Sequence, residues 1–356
     1  MSYLYSVVLP LEILTLLAAV AVELLKIQLG GRRFIFLGVA ALWVLATLFR
    51  PWGASPDDWN YVVHLRLTYP LSEEEFKNTL GHSPLYYFIL SAVRVFYDSY
   101  FSFMIIAASS LALKFLLIAQ ITRYSLLSLL GYVSIFWMLH DVVQLRAGAS
   151  TLFLFSVLFF WIHSKRILAI AVAILGPFVH ISAAVSLAGL PLQWAFRNRY
   201  WLAIGFIVAS QALTEVSMVP PASIIELIGI SNERALLTLE TSTEAGGLRL
   251  TSAALVIALC LAVPSLKKIN RRDLDLFFYS VVAAFAAYWF TADAMTVSSR
   301  LLQFLSVPII LLAPCFKNNL PNFTAFCSLC GAYFYLSGWV NGLMSFGGKW
   351  GLIPLP

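Results

Sequence analysis

The sequence predicts an all-α fold: a polytopic bundle of transmembrane helices. Of its 356 residues, 61% are hydrophobic and 11% are charged, whereas soluble domains are about half apolar and about a quarter charged. The mean hydropathy is +0.87. Most apolar residues lie in long runs, and a helix that crosses a membrane needs about 20 of them. We therefore expect a single transmembrane domain over residues 1–356.

Long apolar runs predict about 11 to 13 membrane crossings, at roughly 20 residues each. The predicted spans are 3–25, 34–49, 101–121, 124–140, 143–162, 167–180, 181–196, 200–214, 251–266, 275–292, 297–315 and 322–344. A further apolar segment, 84–97, is shorter, and we expect a re-entrant or interfacial helix there. A crossing at this point would move a basic cluster of a later loop to the outer face, against the preference of Lys and Arg for the inner side.

Charged residues predict the orientation of the chain. Short predicted inner loops carry basic groups such as Lys165, Arg166 and the run at 267–272, so the +6 net charge reflects topology and contact with anionic lipid, not nucleic acid. Two long connections, 50–100 and 215–250, then lie on the outer side with most of the acidic residues. Long polar loops on one face are where a membrane enzyme would build its site.

The cysteines do not indicate a metal site. Cys327 and Cys330 have the C-x-x-C spacing of a metal or redox pair, but no second pair of ligands accompanies them and both lie in a predicted span. We expect them to be small buried apolar residues, and we predict no metal.

Arg146 and His180 are the most unusual polar residues. Arg146 lies about one turn inside an apolar run, and His180 lies where two apolar segments meet. A charge at membrane depth costs about 2.5–3.5 kcal/mol or more unless it is paired or faces a wet cavity, so we expect both residues to line one polar pocket. Arginines gathered in an apolar vestibule need anions, and a pyrophosphate would satisfy them with bidentate hydrogen bonds.

Five motifs follow one another along the chain: R-x-x-G-x-x-x-D-D-x-x-Y at 50–61, S-P-L-Y-Y-F-I-L-S-A-V at 83–93, Q-L-R-A-G-A-S at 144–150, F-V-H-I-S-A-A at 178–184 and S-R-L-L-Q-F at 299–304. This order resembles the EpsG-like branch of the Wzy-type polysaccharide polymerases. The chain departs from the pattern of such proteins in two places. It has Ala147 where they often have Gln, and Gly81-His82-Ser83 where they often have a Glu before the proline, which leaves the general base open.

The resemblance implies a metal-independent and cofactor-free glycosyltransferase of GT-C-like fold in the bacterial inner (cytoplasmic) membrane, with its site facing the periplasm. Such enzymes move a growing glycan from undecaprenyl pyrophosphate onto a sugar hydroxyl of the next lipid-linked repeat unit. The implied partners are these lipid-linked donor and acceptor glycans and membrane lipids, with a chain-length regulator and a flippase of the same pathway as further candidates. No nucleic acid is implied.

Two arginines are the candidates for stabilising the departing pyrophosphate, because oriented positive donors at a developing negative charge lower the barrier. They are Arg146 and Arg300. The alternative is that they form structural ion pairs with Asp141 and Asp293. Arg249 and Arg50 are further candidates for substrate binding.

A base is needed for the acceptor hydroxyl, and a histidine with its pKa near 6.5 suits this role. His180 is the first candidate, and its alternative role is to cap the break between two helices with Ser182. Asp57 or Asp58 is the second candidate, and either could instead be the N-cap of a short helix near Trp59. The remaining candidates for substrate binding are Tyr61, Trp59, Asp141 and Ser182.

Two other functions fit the same features less well. A ligase or single-step glycosyltransferase would use the same donor. A transporter or flippase of lipid-linked glycans should carry charges in both halves of the membrane and show repeat symmetry, whereas the polar residues here gather near one predicted face and no repeat is evident.

Overall fold

A computed structural model describes residues 3–51, 58, 61, 83–96, 100–213, 245–269, 271–290, 295–317 and 319–340. Every regular element in these ranges is a helix. The α-helices are α1 (Leu9–Leu24), α2 (Leu29–Leu48), α3 (Pro84–Arg94), α4 (Phe101–Ile121), α5 (Ser125–Tyr132), α6 (Leu145–Ile162), α7 (Arg166–Leu175), α8 (Gly189–Phe196), α9 (Tyr200–Leu213), α10 (Ala245–Ile269), α11 (Arg272–Phe290), α12 (Met295–Ser306), α13 (Ala313–Lys317) and α14 (Leu320–Val340). Tighter and wider turns extend several of them: π-helices at Leu4–Val8 and Val133–Val143, and 3₁₀-helices at Gly176–Phe178, Ile181–Val185 and Val307–Leu312.

The predicted fold class is confirmed. Seven helices in the described ranges are long and apolar enough to cross a membrane: Ser6–Leu24, Leu29–Leu48, Phe101–Ile121, Ser125–Val143, Leu145–Ile162, Ser252–Ile269 and Ser299–Lys317. Three shorter apolar helices are Arg166–Phe178, Ile181–Phe196 and Tyr200–Ala209. Each of the twelve predicted spans contains a helix. The predicted number of about 11 to 13 crossings is larger than the number of these long helices, and it stays a prediction.

Helix α3 lies where the sequence predicts a re-entrant or interfacial helix. It has 11 residues, so at about 1.5 Å per residue it is too short to cross a hydrocarbon layer about 30 Å thick. Proline at its first position fixes the backbone dihedral of the helix start. That this helix is re-entrant or interfacial remains a prediction.

The chain forms two compact units, the first comprising residues 1–184 and 327–356 and the second residues 185–326. A tryptophan pair marks the core of the first unit. The rings of Trp43 and Trp137 meet edge to face, with 4.6 Å between centroids. Each indole N–H donates to a threonine hydroxyl at 2.9 Å, Trp43 to Thr15 and Trp137 to Thr47. The pair thereby joins α1, α2 and the π-helix Val133–Val143.

Helix α11 is the central element of the second unit. Its residues Phe278, Tyr279 and Val281 are fully buried. Helix α8 approaches it closely at Gly189, where an added Cβ would lie 2.4 Å from the Ser280 hydroxyl. Only a residue without a side chain allows this approach.

Candidate functional site

Arg146 lies in the first turn of α6 and is half-buried. Its Nη1 donates to the Tyr87 hydroxyl at 3.2 Å, and its guanidinium lies 5.9 Å from the centroid of the Tyr87 ring. Within the part of the chain that the structure describes, Arg146 has no carboxylate partner. A helix N-terminus carries a partial positive charge, so this end of α6 and the guanidinium both favour an anion.

Asp141 is not the partner of Arg146, which rules out one of the predicted alternatives. Its carboxylate accepts hydrogen bonds from Lys114 Nζ and, at 2.6 Å, from the Tyr132 hydroxyl. Lys114 is fully buried in the middle of α4, and it also donates to the Gly148 carbonyl at 3.2 Å. Lys114, Tyr132, Asp141 and the Gly148 carbonyl form a network, called here the lysine network, that holds both ends of the segment carrying Arg146.

Gly148 allows that segment to fold back tightly. A Cβ at this position would lie 2.0 Å from the His140 carbonyl oxygen, far inside the contact distance. The glycine of the R-A-G-A motif is therefore explained by the close approach of α6 to the end of the π-helix.

Tyr61 ties the first motif to the start of α6. Its hydroxyl accepts a hydrogen bond from the Leu145 N–H at 2.7 Å and donates to the Val143 carbonyl at 3.2 Å. Both groups flank the break between the π-helix Val133–Val143 and α6. Tyr61 therefore has a structural role beside its predicted role in substrate binding.

The motifs converge in one cluster of buried residues. It contains Tyr61, Tyr86, Tyr87, Leu145 and Val179, so it joins the first four motifs. Burial raises the pKa of Tyr87, with Arg146 opposing, and burial raises the pKa of Tyr86 well above its ordinary value. Both tyrosines are therefore neutral at ordinary pH.

Arg50 and Asp58 form a buried ion pair beside this cluster. Arg50 Nη2 lies 2.7 Å from Asp58 Oδ1, and the Tyr100 hydroxyl donates to the same oxygen at 2.9 Å and contacts Arg50. Burial disfavours the charge on Arg50, but Tyr100 and Asp58 outweigh it and leave the pKa of the guanidinium raised. Arg50 Nε and Nη1 are buried and have no hydrogen-bond partner among the described residues.

His180 lies between the 3₁₀-turns Gly176–Phe178 and Ile181–Val185, with a side chain that is mostly buried. Its Nδ1 is 2.9 Å from the Ser182 hydroxyl and accepts weakly from the Ser182 N–H at 3.3 Å. This is the geometry of the predicted helix-break cap. The same contact orients the ring, which has two tautomers. With the proton on Nε2, Nδ1 accepts from the Ser182 N–H and hydroxyl. With the proton on Nδ1 and donated to the Ser182 hydroxyl, the weak N–H contact is lost and Nε2 can act as a base.

His140 lies in the π-helix Val133–Val143 and is buried. Its ring stacks on Phe136, with 5.7 Å between centroids. Nδ1 of His140 is buried and has no partner within the described ranges. The sequence places His140 only near the end of a span and gives no reason to prefer it.

The other predicted site residues either belong to the second unit or fall outside the described residues. Arg300 is exposed in α12, and Arg249 is part of α10, both in the second unit. Asp57 and Trp59, like Asp293, fall outside the described residues. The other seven candidates all belong to the first unit: Arg50, Asp58, Tyr61, Asp141, Arg146, His180 and Ser182.

Sequence reasoning missed two charged residues inside spans. Lys114 and Glu12 are almost completely buried, and the Ser134 hydroxyl donates to the Glu12 carboxylate. Each is an isolated charge in an apolar run, which by itself is a signal for a functional or paired residue in a membrane helix. Tyr87 belongs to a motif that supports the family resemblance, but its contact with Arg146 depends on tertiary structure.

The described residues contain no group of three or more His, Cys, Asp or Glu side chains that could hold a metal ion. All four cysteines are free, and Cys327 and Cys330 are buried.

Fold and site together define a polytopic α-helical membrane protein in which Arg146, at the start of a helix, lies over a tyrosine of a buried cluster that joins four motifs. The chain belongs to the EpsG family, which matches residues 32–347. The predicted resemblance to EpsG-like proteins is thereby confirmed at the level of the family. No curated protein and no solved structure matches the chain.

Proposed function

We propose that this EpsG-family protein polymerises undecaprenyl-pyrophosphate-linked oligosaccharides at the periplasmic face of the bacterial inner membrane. In each cycle the bond between the anomeric carbon of the donor glycan and its pyrophosphate oxygen breaks. A new glycosidic bond forms to a hydroxyl of the acceptor repeat unit, which gives its proton to a base. Polyprenyl pyrophosphate leaves with the electron pair.

The observation that carries this proposal is the environment of Arg146. It is half-buried at a helix N-terminus, its hydrogen bond goes to the neutral Tyr87, and no described carboxylate neutralises it. A diphosphate placed there would gain charge-assisted hydrogen bonds and the favourable end of the helix dipole. Because the leaving group gains negative charge as the bond breaks, these donors would act most strongly in the transition state.

His180 is the favoured base, because the Ser182 hydroxyl at 2.9 Å fixes the orientation of its ring. Asp58 is a weaker candidate, since its carboxylate already accepts from Arg50 and Tyr100. The two unpartnered buried groups of Arg50, Nε and Nη1, would suit oxygens of the bound glycan or phosphate. Arg300, Arg249, Asp57 and Trp59 stay candidates from the sequence.

Elongation by the purified full-length protein in nanodiscs tests the proposal. The substrate is the undecaprenyl-pyrophosphate-linked repeat unit extracted from a strain that carries this protein, and products are separated on a gel. Wild type should build a ladder. Arg146→Ala should lower the rate by about 10²–10³-fold, and His180→Ala by about 10²–10⁴-fold.

Arg123→Ala is a matched control. Arg123 also lies over a tyrosine ring, 4.9 Å from the centroid of Tyr124, but it is exposed and far in sequence from the motifs. It should elongate like wild type. A normal ladder from Arg146→Ala would remove this residue from the mechanism. Translocation of the substrate without elongation would favour the transporter alternative instead.

A further inference from the structure

A cavity of about 600 Å³ lies in the second unit, and no residue of the five motifs lines it. It is lined by Leu190, Gln193, Trp194, Arg197, Asn198, Arg272 and Asp275. These residues come from α8, the turn that follows it, and the start of α11. The volume is within the range of about 300–1,000 Å³ that small-molecule sites have.

The cavity carries two exposed guanidinium groups without a carboxylate partner in the described part of the chain, those of Arg197 and Arg272. Its one carboxylate, Asp275, is buried and accepts a hydrogen bond from the Tyr200 hydroxyl at 2.6 Å. The neighbouring Arg271 differs, because it forms an ion pair with Asp273. The two unpaired cations therefore give the cavity a net positive charge.

The backbone around the cavity is held in an uncommon form. Arg197 and Asn198 have φ angles of 31° and 67°, a left-handed region that residues other than glycine rarely adopt. Gln193 Nε2 donates to the Arg272 carbonyl at 2.9 Å and so joins the two helix ends. Such strained turns persist where the surrounding contacts fix them, and they are common at binding sites.

The rim of the cavity suits a membrane surface. Trp194 is 79% exposed, and tryptophan is enriched at the boundary between headgroups and hydrocarbon. The predicted orientation places the loops at 197–199 and 267–272 on the cytoplasmic side. Anionic lipids give that leaflet its negative surface potential, and basic pockets between membrane helices bind their headgroups.

We propose that this cavity binds the headgroup of an anionic phospholipid, with Arg197 and Arg272 on the phosphate oxygens. Arginine suits this role because its planar group donates two parallel hydrogen bonds to phosphate. The acyl chains lie along the exposed apolar surface beside Trp194. This site is independent of the proposed polymerisation, because it uses none of the residues that are candidates for that reaction.

Calorimetric titration of the purified full-length protein in a neutral detergent tests this site. The probe is dihexanoyl phosphatidylglycerol, and dihexanoyl phosphatidylcholine is the probe without net charge. Wild type should bind the anionic lipid more tightly. Arg272→Ala and Arg197→Ala should each weaken binding about tenfold, the effect of losing one charged hydrogen bond.

Arg271→Ala is the matched control, since it removes an equally exposed arginine next in sequence and changes the net charge by the same amount. It should bind like wild type. Equal weakening by Arg271→Ala and Arg272→Ala, or equal affinity for the two lipids, would overturn the proposal. Should Arg272→Ala lower the unfolding temperature, Arg197→Ala decides, because it changes the other side of the cavity.

Glycerol phosphate, which has the phosphate but no acyl chain, distinguishes the source of the ligand. Binding at least tenfold weaker than that of the lipid supports a lipid site. Binding as tight as that of the lipid overturns the lipid as the source and indicates a site for a soluble phosphate.

Discussion

Lys114 and Arg146 are two cations at the segment 141–148 of the first unit, but their partners differ. Lys114 contacts both ends of the segment, and Arg146 is part of it. Lys114 is fully buried and has Asp141, Tyr132 and the Gly148 carbonyl as partners. Arg146, five residues after Asp141, contacts a neutral tyrosine instead. The chain supplies the counter-ion of the lysine itself. For the arginine it supplies none in the described residues, and this contrast is the reason for assigning Arg146 to a ligand.

The largest expected effect comes from breaking the lysine network. Lys114→Met should cost about 3–5 kcal/mol of unfolding free energy, because it leaves the Asp141 carboxylate buried without a cation. Arg146→Met should cost about 1 kcal/mol or less, since it loses one hydrogen bond to a neutral group. Denaturant unfolding of the purified variants in detergent measures both.

The double variant Lys114→Met/Asp141→Leu serves as the control for that experiment. Removing both charges should recover much of the lost stability, because no buried charge then remains unpaired. Equal losses from Lys114→Met and Arg146→Met would contradict the distinction between the two cations.

Gly148→Ala should have the next largest effect. Its methyl group would meet the His140 carbonyl at 2.0 Å, and overpacking of this kind costs about 1–3 kcal/mol. Gly38→Ala in α2 is the matched control, because nothing lies within 4 Å of its added Cβ. It should stabilise the helix by about 0.5–1 kcal/mol. Unfolding curves that rank the two variants in the opposite order would show that the close approach is not needed.

Ser182→Ala tests whether the serine orients His180. Loss of one hydrogen bond is worth about 0.5–1.5 kcal/mol, so kcat should fall about two- to tenfold. The pH profile of elongation should also change, because the acceptor of the Nδ1 proton is lost while the Ser182 N–H, which favours the proton on Nε2, remains. Ser156→Ala removes a hydroxyl whose one hydrogen bond within the described residues goes to the Leu152 carbonyl of its own helix, at 2.8 Å, and it should leave the profile unchanged. If Ser182→Ala leaves the pH profile of elongation unaltered, the serine caps the helix break and does not orient His180 for catalysis.

Tyr87→Phe should have the smallest effect. It removes the hydroxyl that accepts from Arg146 at 3.2 Å but keeps the ring beneath the guanidinium, so elongation kinetics should show a loss of about 0.5–1 kcal/mol in transition-state binding. Tyr86→Phe removes a buried hydroxyl that has no partner among the described residues, so it should not weaken activity. A larger loss from Tyr86→Phe would reassign the role to that residue.

Helix positions were predictable because each span is a long apolar run, and this pattern needs only local sequence. The boundaries at Phe101–Ile121 agree with the prediction to the residue. Arg146 and His180 were also identifiable as candidates, since an ionisable residue inside an apolar run or at the junction of two such runs is rare enough to need an explanation.

Which charged side chains form pairs was not predictable from the local sequence. Sequence proximity favoured Asp141 as the partner of Arg146, whereas the carboxylate pairs with Lys114, 27 residues earlier. The π-helix Val133–Val143 changes the direction of side chains between them, and no residue pattern in an apolar run marks such a change. Asp58 likewise has its position set by Tyr100, which is 42 residues away.

The tryptophan pair in the core of the first unit has a practical consequence. Two indoles 4.6 Å apart at 65°, each held by a threonine hydroxyl, are expected to couple their electronic transitions. Near-ultraviolet circular dichroism should therefore contain a two-signed band that disappears in Trp43→Phe. Such a band would give an optical signal for closure of this unit in a lipid environment, without any added label.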